Sequence, residues 1–137
     1  MCNTEQLIKL ILKTWPDTQA IYLFGSWGTA YEQPGSDLDV AVLLPPKLAK
    51  ETGSLFFSEL HQALQAVFDK DVDLINLRLS PTVLQKEIIM SGQRLYQAPG
   101  TDTDEFEILV LSLYQKLNEE RADILAEGLR SGKFYDL

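Results

Sequence analysis

The chain has 137 residues, 45% hydrophobic and 23% charged, and its 20 acidic side chains against 12 basic ones give a net charge of −8. This is ordinary globular composition on the scale of one domain. It excludes a bilayer-spanning helix, because no apolar run approaches the roughly 18 residues required, and it weighs against nucleic acid as principal partner, because phosphate backbones call for basic patches. The lone Cys2 cannot form an intramolecular disulfide, which fits a cytoplasmic location.

In chain order, Asn3–Thr14 carries Leu7, Leu10 and Ile11 at helical spacing before Pro16, which predicts an opening helix. Ala20-Ile21-Tyr22-Leu23-Phe24 is short, apolar and cut off by Gly25, the pattern of a buried strand that ends in a turn. That turn, Gly25-Ser26, suits a phosphate: glycine lets the backbone come close to a ligand, and the serine hydroxyl donates to an oxygen. Trp27-Gly28-Thr29-Ala30 reads as the opening of a short helix whose N–H groups favour an anion. Gln33-Pro34-Gly35-Ser36 then reverses the chain.

Asp37-Leu38-Asp39-Val40-Ala41-Val42-Leu43-Leu44, closed by Pro45-Pro46, reads as a second strand. Alternation puts Asp37 and Asp39 on one face, about 6–7 Å apart at Cα, with Leu38 and Val40 turned to the core. Two such carboxylates repel unless a cation sits between them. Mg²⁺ suits the arrangement, since it is commonly held by one or two carboxylates and substrate phosphates. The spacing of Gly25-Ser26 and Asp37-Leu38-Asp39 lets the phosphate turn face the acid pair.

Residues 54–68 place Phe56, Phe57, Leu60, Leu64 and Val67 at helical spacing, with His61 as an ordinary helix residue. Residues 71–77 read as the next strand, with Asp71 in the preceding turn and Asp73 inside the β-like run. Ser80-Pro81 supplies an N-cap and first-position signal for a helix over 82–90, ending before Gly92. Arg94-Leu95-Tyr96 adds a short edge strand.

Pro99-Gly100 marks a change of character. A long helical pattern then runs from Asp102 to about Ser131, with acids in its first turn and Arg130 near its end. The expected organisation is a domain over 1–98 and a helical extension over 99–137, which packs on the domain, on a partner, or on both. Alternating strands and helices argue α/β or α+β, with a mixed sheet flanked by helices.

Phe24-Gly25-Ser26, ten residues, then Asp37-Leu38-Asp39-Val40 resembles the signature of the DNA polymerase beta-like nucleotidyltransferases, in particular their minimal nucleotidyltransferase (MNT) branch. The resemblance implies the nucleotidyltransferase fold with a long C-terminal helix, two Mg²⁺ ions held by Asp37, Asp39 and a third acid, and transfer of a nucleotide from an NTP, here ATP. Asp73 is the matching third acid, expected to complete the metal site and take the acceptor's proton. Many relatives carry an arginine shortly after the Gly-Ser pair, where this chain has Trp27 and Thr29; Arg78 and Lys70 are the candidates to assist in its place.

MNT proteins are commonly antitoxins paired with HEPN RNase toxins, and some AMPylate their partner. The resemblance therefore implies AMP transfer to a toxin hydroxyl, a tyrosine, by a chain that is compatible with homo-oligomer formation. Two alternatives are a small-molecule nucleotidyltransferase of the aminoglycoside-modifying type and a non-catalytic antitoxin that acts by binding alone.

Overall fold

The structure is a computed structural model that describes residues 3–25, 38–55, 58–68 and 71–131, with the side chains of Asn3 and of 123–131 outside that set. The order among these residues is α1 (Asn3–Thr14), β1 (Ala20–Phe24), β2 (Leu38–Leu43), α2 (Pro46–Thr52), α3 (Glu59–Phe68), β3 (Val72–Asn76), α4 (Thr82–Ser91), β4 (Gln93–Gln97) and α5 (Asp102–Ser131). A single 3₁₀ turn, Leu77–Leu79, follows β3.

The strands form one sheet in the order β3-β2-β1-β4. β1 is antiparallel to both β2 and β4, whereas β2 and β3 run parallel. The sheet is mixed, as expected. Parallel neighbours need a crossover connection, and here α2 and α3 provide it.

Alternation along each strand makes two cores. On one face Ile21, Leu23, Val40, Val42 and Leu74 pack with Leu7 and Ile11 of α1 and with Leu60 and Leu64 of α3. On the other face Tyr22, Ala41 and Leu43 pack with Ile88 of α4 and with Phe106 and Val110 of α5. Each fully buried aliphatic side chain stabilises the fold by about 1.5–3 kcal/mol relative to exposure, so both faces hold the sheet.

Three helix boundaries differ from the sequence expectation. Pro45-Pro46 ends β2 but also starts α2, with Pro46 in the first turn, where a missing N–H costs nothing. This seven-residue helix has one buried residue, Ala49, and so carries no readable stripe. Ser54, Leu55 and Ser58 are not helical: α3 begins at Glu59, where the Ser58 hydroxyl accepts the His61 N–H at 3.0 Å. Phe56 and Phe57 lie outside the described residues.

Ser80 does not cap α4. Its hydroxyl donates back to the Asn76 carbonyl at 3.0 Å, and Pro81 takes the N-cap position. α5 spans 30 residues, about 45 Å of helix. Thr103, Phe106 and Val110 are buried near its start, whereas Leu113 and Leu117 continue the same stripe exposed.

Candidate active site

The face of the sheet that holds Tyr22, Ala41 and Leu43 turns from apolar to acidic toward the N-terminal end of β2. Asp39 is opposite Phe24 of β1 on one side and Asp73 of β3 on the other. Cross-strand partners share a face, so the two carboxylates lie side by side on strands about 4.8 Å apart. The alternation that turns both to this face, Asp39 half-buried and Asp73 exposed, buries Leu38 and Val40 completely on the opposite one.

Gly25 ends β1 in a left-handed conformation, φ 81°. Its backbone packs directly on Asp39: a Cβ built on Gly25 would overlap Oδ2 and lie 3.1 Å from Cγ. The turn and the acid that motif spacing brought into register are thus in contact. A cleft of about 270 Å³ opens beside this contact, lined by Phe24, Gly25, Leu84, Glu87, Ile88 and Ser91. Nothing in the sequence marked α4 as its wall, because a helix periodicity identifies the core face and not the rim.

Asp73 differs from expectation in one respect. An acid inside a β-like run suggests a buried side chain, but among the described residues β3 is an edge strand and Asp73 is exposed. Water already solvates it, so its placement carries no desolvation cost. A second cleft, of about 350 Å³, begins at Asp73 and runs along the β3 edge between Gly53–Leu55 and Leu79–Pro81.

Asp37 and Ser26, the other members of the proposed site, lie outside the described residues, as do Trp27, Thr29 and Lys70. Among the described residues no group of three metal-ligating side chains is assembled. Asp39 and Asp73 supply two hard oxygen ligands on one face, a donor set that fits Mg²⁺.

Arg78 does not reach this end of the sheet. It follows β3, and its guanidinium donates to the Leu44 carbonyl at 2.7 Å and to Gln19 Oε1 at 2.6 Å, past the far ends of β2 and β1. It also lies over the Phe106 ring, 5.0 Å from the centroid. Burial lowers its pKa, and Asp102 nearby opposes that shift. These contacts make it a brace between sheet and α5, not a phosphate ligand.

His61 is buried, with Nε2 2.6 Å from the Val72 carbonyl. Tyr22, also buried and two residues before Phe24, donates its hydroxyl to Glu107 Oε2 of α5. Arg94 of β4 meets the same oxygen at 3.2 Å. Burial and then Glu107 raise the Tyr22 pKa well above its ordinary value.

A family model described as polymerase beta, nucleotidyltransferase, matches residues 5–100. The chain belongs to this nucleotidyltransferase family. Within it, the chain is 37% identical over 125 residues to the protein adenylyltransferase MntA of Shewanella oneidensis, covering 90% of this chain and 85% of that protein.

Among solved structures, this nucleotidyltransferase is similar to a chain of a toxin–antitoxin crystal structure with AMP-PNP. The TM-score is 0.71 at 34% identity, covering 93% of this chain and 98% of that one. It is also similar to a chain of a complex between a tri-AMPylated Shewanella oneidensis HEPN toxin and an MNT antitoxin. There the TM-score is 0.65 at 34% identity, covering 93% and 96% of the two chains.

Proposed function

We propose that this nucleotidyltransferase is an antitoxin that transfers AMP from ATP to a hydroxyl, a tyrosine, of a cognate HEPN RNase toxin and so neutralises it. The observation that carries the reading is the 37% identity to a protein adenylyltransferase along 90% of the chain. The packing of Gly25 on Asp39, beside Asp73, gives that likeness a chemical basis in this molecule.

In the proposed reaction the acceptor oxygen attacks the α-phosphorus of ATP in line. The new P–O bond forms as the bond to the bridging oxygen breaks, and pyrophosphate leaves with that electron pair. The acceptor's proton passes to the Asp73 carboxylate, which its exposure leaves accessible. Gly25 and Ser26 hold the phosphates through backbone N–H groups and the serine hydroxyl.

Asp37, Asp39 and Asp73 are the residues that would hold Mg²⁺, two ions, which when bound supplies charge stabilisation to the transferring phosphoryl group. Residues 1–98 form the minimal catalytic domain in this reading, and 99–137 the helical extension that packs on it and on the partner. No helix among the described residues is long and apolar enough to cross a membrane, and the reading places the reaction in the cytoplasm.

The test is incubation with α-labelled ATP, Mg²⁺ and the co-encoded toxin, beside Asp39→Asn. Label on the toxin that the variant fails to transfer is the expected result. Neutralisation by Asp39→Asn without label would instead favour an antitoxin that acts by binding, and label on an aminoglycoside-like small molecule alone would overturn the assignment to a protein acceptor.

A further inference from the structure

The cleft of about 270 Å³ beside Gly25 has the wrong lining for a phosphate site. Phe24, Leu84 and Ile88 make it apolar, and among the described residues its one charged group is the Glu87 carboxylate. An ionised carboxylate accepts hydrogen bonds and donates none. It therefore repels a phosphate and takes hydroxyl or amino donors. The cleft is open to a ligand: Gly25, Glu87 and Ser91 are exposed, and Phe24 and Leu84 are half-buried.

Leu84, Glu87, Ile88 and Ser91 are spaced to share one face of α4. The helix stops at Gly92, which packs on β1: a Cβ built there would lie 3.1 Å from the Leu23 carbonyl oxygen. Ser91 is thus level with the end of β1, where Gly25 turns. Glu87 and Ile88 lie one turn farther, about 5.4 Å along the axis, and Leu84 about one turn beyond them. Leading away from Gly25 the cleft offers a hydroxyl, then a carboxylate above buried Ile88, then apolar wall.

Glu87 is held in place. Lys86 Nζ donates to its Oε1 at 3.2 Å, and the same ammonium lies 4.8 Å from the centroid of the Tyr114 ring of α5. A carboxylate has about four lone-pair sites, so this contact leaves room for two further donors. The lysine also offsets the negative charge that Glu87 would present to a nearby triphosphate.

From this arrangement we infer that the cleft is the nucleoside subsite, and that Glu87 selects ribonucleotides by accepting hydrogen bonds from the ribose 2′- and 3′-hydroxyls. The inference rests on the reading of the chain as an AMP transferase that holds the ATP phosphates at Gly25-Ser26. In ATP the ribose follows the α-phosphate directly and the base lies beyond it. That order matches the cleft, with ribose at Glu87 and the flat base between Phe24 and Leu84. Dinucleotide-binding folds use a carboxylate on ribose in the same way.

The test compares full-length wild type, Glu87→Gln and Glu87→Ala with Mg²⁺ and the toxin, on ATP, 2′-deoxy-ATP and 3′-deoxy-ATP. Wild type is expected to favour ATP over either deoxy analogue by about tenfold in kcat/KM, since each analogue lacks a charge-assisted hydrogen bond. Glu87→Gln keeps a neutral acceptor and should narrow the preference to about threefold; Glu87→Ala should abolish it. A merely structural Glu87 would lower the rates with all three nucleotides alike.

Equal use of the three nucleotides by wild type, or a preference that survives in Glu87→Ala, overturns the nucleoside subsite. Label from ATP on the toxin leaves the transferase reading standing in either case. If wild type never labels the toxin, the transferase reading fails, and calorimetric Kd values for the three nucleotides decide the subsite by the same ratios. A protein that binds none of them overturns both.

Discussion

Gly25 and Asp39 touch, backbone against carboxylate, with no room for a Cβ between them. The glycine turn and the acid are therefore one packed unit, and each sets where the other can be. Gly25→Ala would force both a left-handed alanine and a displaced Asp39 carboxylate. The expected outcome is a loss of AMP transfer of about 100-fold, as a misplacement of around 1 Å can produce. Circular dichroism should still report a folded protein, and full activity in the variant would show that the contact does not position Asp39.

Asp39 and Asp73 are in register on parallel strands. If they share a metal, neither can replace the other. Asp39→Asn and Asp73→Asn are each expected to lower kcat by about three orders of magnitude with far smaller changes in Tm, since removing charge stabilisation at the reacting phosphate costs several kcal/mol. Transfer rates titrated against Mg²⁺ check this. Retention of wild-type Mg²⁺ dependence by Asp73→Asn would remove Asp73 from the metal site.

Arg78 tests the division between site and brace. Its guanidinium hydrogen bonds lie at the opposite end of the strands from Gly25. Arg78→Ala should lower unfolding free energy by about 1–3 kcal/mol, because two part-buried oxygen acceptors lose a charged donor, while the KM for ATP stays within about twofold. Chemical denaturation and steady-state kinetics measure the two. A large rise in the KM for ATP with no loss of stability would return Arg78 to the nucleotide site.

Tyr22 gives a pH signature. Its pKa is raised above the ordinary 10.0 by burial and by Glu107. Above pH 10 the unfolded state therefore releases this proton while the folded state keeps it. The stabilisation is complete below that pH and declines as pH rises toward the folded value. Denaturation between pH 8 and about pH 11 should show a steeper alkaline loss for wild type than for Tyr22→Phe; parallel curves would exclude the effect.

Local chemistry made much of the molecule legible in advance. Strand alternation in Leu38–Leu43 put Asp39 on the face opposite Leu38 and Val40, and Pro16, Gly25 and Gly92 punctuate the elements where glycine and proline must. α2 was not legible, because seven residues with one buried alanine carry too little hydrophobic period to distinguish a helix from a loop.

The sequence by itself determined the reaction chemistry: a glycine turn, acids at a strand's start and a family signature depend on residue type and spacing, which are local properties. Tertiary structure alone decided which acids stand together and what surrounds them. Register across β1, β2 and β3 placed Gly25, Asp39 and Asp73 side by side, and strand order made β3 an edge, so that Asp73 is solvated and a cleft opens beside it. Neither is encoded in any one segment, because pairing and strand order arise only when distant segments bury their apolar faces against each other.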